Sequence, residues 1–153
     1  MARYASKTKV PVDKTRAEIE RTLERYGASQ FTFGRDDEVG KAVIQFKAHD
    51  RYVRYVLSFS KKPPTPKAGY TSADYARWEA ECRQKWRAVL LIIKAKLEAV
   101  ESQISEFEEE FLAHIVVPDG KTASQWLRPQ LAIAYETGKM PATLLALPAP
   151  DSE

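Results

Sequence analysis

Five residues offer the clearest chemistry in this sequence: Lys41, Gln45, Lys47, Tyr52 and Arg54. They recur at alternate positions within two stretches that interleave polar with apolar residues, so all five share one side if those stretches are strands. Cations around an aromatic ring suit a single-stranded nucleic acid, because phosphates meet the charges and an unpaired base stacks on the ring. Lys61, Lys62 and Lys67 in the next loop, with Arg3, Lys7 and Lys9 near the N-terminus, add charges able to wrap the same strand. A solvated sheet face also carries Lys and Arg, and Val43 and Val56 on the same side point to partial cover.

A second charged group has the opposite sign. Glu106, Glu108, Glu109 and Glu110 could mimic nucleic acid or grip a basic protein, although a solvated helix face has the same composition. Catalytic patterns are weak. Glu110 and His114 lie one helical turn apart, but neither a His-Glu-x-x-His nor a Glu-x-x-His motif is present, and no second ligand-bearing helix is visible. Asp36, Asp37 and Glu38 lack the ligand spacing of a calcium loop. His49-Asp50 reads as a turn, and Cys82 sits on an apolar helix face as a structural thiol. There is no phosphate-binding loop or dinucleotide fingerprint. The expectation is a non-enzymatic protein with no cofactor and no metal.

The elements that must position these residues can be read in order. Residues 1–12 form a flexible basic arm and 13–140 a single α+β domain, with a loose tail over 141–153. Thr15-Arg16-Ala17-Glu18 predicts a capping box opening a helix that Gly27 ends. Strands follow at 30–34, 41–48 and 51–59, joined by the loop 35–40 and the turn His49-Asp50, as an antiparallel meander. After the proline- and lysine-rich loop, Thr71 or Ser72 caps a long helix, and a shorter one spans 122–137, with Pro129 near its start and Gly138 closing it.

The run from Ser72 to Val117 contains neither proline nor glycine. As one helix it would extend about 69 Å at 1.5 Å per residue, against a radius of gyration of about 15 Å for a compact domain of this length. It must break, with Ser102-Gln103-Ile104-Ser105 the weakest stretch, or pair with a second copy along the seam from Trp86 through Ile93, Leu97, Ile104, Phe107 and Phe111. The run Val89 to Ile93 is apolar all round and marks the centre of the fold.

The composition, 44% hydrophobic and 29% charged with one cysteine, is that of a soluble domain without disulfides. Residues 1–70 hold fifteen Lys/Arg against eight Asp/Glu, whereas 97–117 hold six acids and no Lys/Arg, so the N-terminal half is the side that meets an anionic partner. No signal peptide or membrane span is visible, and the expected location is cytoplasmic.

Three blocks carry a resemblance: RYASKTKVPVDKTRAEIERTLERYGA, WEAECRQKWRAVLLIIKAKLEAVESQISEFEEEFLAHIVVPDGKT and QLAIAYETGKMP. Together they resemble a family of small proteins encoded in tailed-phage and prophage genomes. The resemblance covers most of the chain and carries over no catalytic or binding residue. It implies a setting of phage DNA metabolism or phage–host interference in a bacterial cytoplasm. The expected function is nucleic-acid binding, single-stranded in preference to duplex, in DNA replication or recombination. The alternative is a factor that inhibits or redirects a host enzyme or defence complex through its acidic or apolar long helix.

Overall fold

A computed structural model of the chain describes residues 5–67 and 72–140. Arg3, the cap candidate Thr71 and the tail 141–153 lie outside the described residues. The fold is α+β: an N-terminal helix, a three-stranded antiparallel sheet, a long helix and further short helices.

Helix α1 spans Val12–Arg25, and the expected cap at Thr15 is incorrect. The helix starts after Pro11, whose carbonyl accepts from the Thr15 amide at 3.1 Å, and Thr15 is buried inside it. Proline lacks an amide hydrogen, so it stands well just ahead of a helix, where the first donors have no intrahelical acceptor. Glu18, expected to reach back to the cap, instead accepts from Arg87 at 2.6 Å and Lys94 at 2.8 Å. Those two donors, Lys94 first, hold its carboxyl below the usual carboxylate range. Gly27, with φ +85°, ends the helix as expected.

Strands β1 (Ser29–Asp36), β2 (Lys41–Ala48) and β3 (Arg51–Ser58) form a meander in the order β1-β2-β3. Strand β1 is longer than the predicted 30–34 and carries an irregularity between Ser29 and Thr32, where Gln30 adopts φ +56°. In the β1–β2 loop, Asp36 accepts from the amides of Glu38 and Val39. Gly40 is obligatory: a Cβ there would stand 2.4 Å from the Phe59 carbonyl oxygen, and its φ is +65°. His49 and Asp50, at φ 49° and 58°, make the two-residue turn whose twist matches antiparallel strands.

Helix α2 runs Ala73–Glu101, with Ser72 accepting from the Tyr75 amide. The break falls where the weak propensity put it. Gln103 takes the left-handed position (φ +58°), and the Ile104 and Gln103 amides bond back to the Ala99 and Val100 carbonyls. This closing motif usually holds glycine. Helix α3 (Phe107–Phe111) restarts the chain with a capping box between Glu106 and Glu109, and a 3-10 turn follows at Leu112–His114. Ile115 then bridges to Val53, and the Val116 amide donates to the Tyr52 carbonyl. Helix α4 spans Ala123–Thr137, with Thr122 and Gln125 forming its capping box and Gly138 left-handed at its end. Pro129 lies in the interior of α4 rather than near its start.

Among the described residues the sheet has one face sealed and one only partly covered. Ile19 and Leu23 of α1, Val89, Leu90, Ile93 and Leu97 of α2, and Phe111 of α3 bury Ala42, Ile44, Phe46, Val53 and Tyr55. Phe46 meets Phe111 edge-on at 6.1 Å. The apolar seam of the long helix is therefore filled by the chain's own sheet. Ile104, in the break, is left 79% exposed. Among the described residues, no helix is long and apolar enough to cross a membrane.

Candidate nucleic-acid interface

The pleat of β2 and β3 sends Lys41, Val43, Gln45 and Lys47, with Tyr52, Arg54, Val56 and Ser58, to the side opposite the core. Among the described residues none of these is buried: Lys41, Tyr52, Val56 and Ser58 are exposed, and Val43, Gln45, Lys47 and Arg54 are half-buried, so the face is partly covered, as its two valines suggested. The register pairs them across the strands: Lys41 with Ser58, Val43 with Val56, Gln45 with Arg54, and Lys47 with Tyr52. The five residues singled out from the sequence thus form one surface.

Each is oriented by a neighbour. The Lys47 ammonium lies 5.9 Å from the centre of the Tyr52 ring and 3.7 Å from an Asp50 carboxylate oxygen. The Tyr52 hydroxyl donates to Gln30 Oε1 at 2.5 Å, so the left-handed backbone of Gln30 helps to fix the ring. Arg54 Nε donates to Gln45 Oε1 at 3.0 Å, and its Nη1 to the Gly120 carbonyl at 2.8 Å. Lys41 Nζ donates to the Ser58 hydroxyl at 3.0 Å. The guanidinium keeps further N–H groups, and each ammonium keeps spare donors, so charge is still presented outward.

Of the loop lysines, Lys62 is drawn away from this surface. Lys62 pairs with Asp37 at 3.0 Å and lies 5.3 Å from the Trp78 ring, beyond the far end of β3. Lys61 and Lys67 are exposed in the same loop. Conversely, Gln30, Thr32 and the turn at Gly120–Lys121 border the face without having been anticipated. Thr32 faces Gln45 in register and follows from extending the alternation into β1. The contact between Arg54 and Gly120 joins residues far apart in sequence and has no local signal.

The four glutamates have structural work. Glu106 and Glu109 close the capping box of α3, and Glu108 pairs with Arg51 at 3.3 Å. Glu110 accepts from the Ser105 hydroxyl at 2.5 Å and pairs with Lys96 at 3.5 Å. The serine first, then the lysine, holds its carboxyl below the usual range. His114 stacks on Tyr55 at 4.0 Å, and burial lowers its imidazole pKa. Cys82 is half-buried, and burial pushes its thiol up to about 11. Among the described residues no three His, Cys, Asp or Glu side chains are grouped to hold a metal. No protein-family model matches this chain, and no curated protein or solved structure matches it.

Proposed function

We propose that this protein binds single-stranded nucleic acid across the polar face of its sheet, without catalysis, in phage-type DNA replication or recombination. The observation that carries the reading is the polar face of the sheet, on which Lys47 lies beside Tyr52 in register, with Arg54 two residues along β3 and Lys41 at the far end of β2. From Lys41 to Lys47 the strand extends about 20 Å at 3.3 Å per residue, room for a short stretch of extended strand. The cations take the phosphates and the ring takes a base, which favours a strand whose bases are unpaired. The phage setting rests on the resemblance of the three sequence blocks alone. The rival, a host-protein binder acting through the acidic helix, has less support, because its four carboxylates are already engaged within the fold.

Fluorescence anisotropy of labelled single-stranded DNA, duplex DNA and RNA across a salt series tests the reading. Single strands are expected to bind most tightly, with a log–log slope of about −2 for three cation contacts at about −0.7 each. Lys47→Ala with Arg54→Ala should weaken binding and flatten the slope by about 1.4. Absence of binding at low salt, or unchanged affinity in the double variant, overturns the assignment.

A further inference from the structure

A cleft of about 240 Å³ lies between the segment leading into α1, at Lys9 and Pro11, the β1–β2 loop and the first half of α2. Trp78 and Trp86, about two turns apart on α2, and Phe59 give it aromatic walls. Its volume falls a little below the roughly 300 Å³ at which pockets for drug-sized ligands begin. Arg83, on the same stretch of α2, lines the cleft and is the residue there that the fold does not satisfy. Its Nε is buried with no hydrogen-bond partner, and among the described residues nothing pairs with its guanidinium. Glu79 stands one turn before it and lines the same cleft, yet the two form no ion pair. A buried N–H left unpaired on a charged group costs more than a neutral one. The other charged groups at the cleft are mostly answered. Asp37 pairs with Arg35 at 2.9 Å and Lys62 at 3.0 Å, Asp36 accepts from two loop amides, and Lys41 donates to the Ser58 hydroxyl. Lys9 is exposed and, among the described residues, has no partner.

We propose that this cleft binds an aromatic phosphate monoester about the size of one nucleotide, with its phosphate on Arg83 and Lys9 and its ring against the aromatic walls. Charge selects the phosphate. Lys9, Arg35, Lys41 and Arg83, with Lys62 on Asp37, outnumber the carboxylates of Asp36, Asp37 and Glu79 by two. A phosphate monoester carries about −1.5 to −2 near pH 7, so it matches that surplus where a single carboxylate does not. The arginine fork suits it as well, since parallel N–H groups meet two phosphate oxygens at once. The walls select a ring, because Trp and Phe bury a flat aromatic group well. Size limits the ligand to one such unit. Glu79 opposes the anion, and its carboxylate keeps the affinity below what the cations alone would give. The cleft lies apart from Tyr52 and Lys47, so the proposal does not depend on what the sheet binds.

Titration calorimetry of the full chain with adenosine monophosphate, phosphotyrosine, adenosine and inorganic phosphate is the test. At least one of the two esters should bind with a Kd below about 1 mM, and the tighter of them identifies a nucleotide or a phosphoaryl source. Adenosine and inorganic phosphate, each lacking half of the ligand, should bind at least about tenfold more weakly. Arg83→Gln should weaken the ester by about tenfold or more, through the lost charge-assisted bonds. Arg128→Gln, which removes an exposed cation on α4, should leave it unchanged. Glu79→Gln should tighten it by about two- to fivefold, a gain that a merely destabilised fold would not produce. Arg83→Gln should also leave single-strand affinity as in the wild type, which separates this site from the sheet. Absence of binding by both esters, inorganic phosphate binding as tightly as the ester, an Arg83→Gln variant that binds as the wild type does, or weaker binding by Glu79→Gln overturns the proposal.

Discussion

The two faces of the sheet are made by alternate residues of the same strands, yet they answer to different physics. On one, Ala42, Ile44, Phe46, Val53 and Tyr55 are sealed under α1, α2 and α3. On the other, Lys41, Gln45, Lys47, Tyr52 and Arg54 keep contact with solvent, each steered by one or two neighbours. The covered face depends on volume and shape, because every atom there has lost its water. The polar face depends on charge and orientation, because its groups keep part of their water. Neighbouring positions on one strand are therefore expected to respond oppositely to the same chemical change.

The largest test of that contrast is a matched pair in β3. Val53 is fully buried, and Val53→Lys should unfold the protein or destabilise it by several kcal/mol, because an ammonium would be stranded in the core. Val56→Lys, three residues on and facing outward, should stay within about 0.5 kcal/mol of wild type by urea denaturation. It should also steepen the single-strand salt slope by about 0.7. Equal stability of the two variants would erase the distinction between the faces.

A smaller effect sharpens the role of the ring. Tyr52→Ala should lower single-strand affinity by about 5- to 150-fold, the equivalent of about 1–3 kcal/mol for one stacked base. Tyr52→Phe keeps the ring and loses only the bond to Gln30, so most affinity should survive. If both variants bind equally poorly, the hydroxyl and its partner matter rather than the stacking surface.

The smallest effect concerns pH and belongs to the covered side. His114 stacks on Tyr55, and burial lowers its pKa beneath the ordinary 6.5. The unfolded chain therefore takes up this proton more readily than the folded one. The stability contributed by the neutral ring is complete above pH 6.5 and is lost as pH falls through the lowered folded value. His114→Phe should flatten the stability–pH curve below 6.5 in thermal melts, and leave single-strand binding at neutral pH unchanged. A curve identical to wild type would show that the imidazole does not titrate in this window.

Much of the candidate site could be read from the sequence. The alternation in Lys41–Ala48 and Arg51–Ser58 assigned every residue of β2 and β3 to a side, since a strand offers only two. The break at Ser102–Ser105 was visible as weak propensity within a run too long for the molecule. What escaped notice were contacts between distant segments. Gln30 reaches Tyr52 only because β1 bulges into a left-handed residue, and no residue type there announces it. The acids at 106–110 look like a free charged face until Arg51, Lys96 and Ser105 are brought beside them.

Local pattern was enough to set the identity of the helices and strands, the two sides of the sheet and the need for a break, because periodicity and propensity act over a few residues. Tertiary packing alone decided three things: that the seam of α2 is satisfied by the chain's own sheet, that among the described residues the basic face is only partly covered, and that Trp126, Leu131 and Ile133 of α4 stay exposed there. Helical periodicity states that a face must be buried and is silent on what buries it; the choice among the sheet, a second copy and another protein is a competition of whole surfaces, settled only when all the elements are in place.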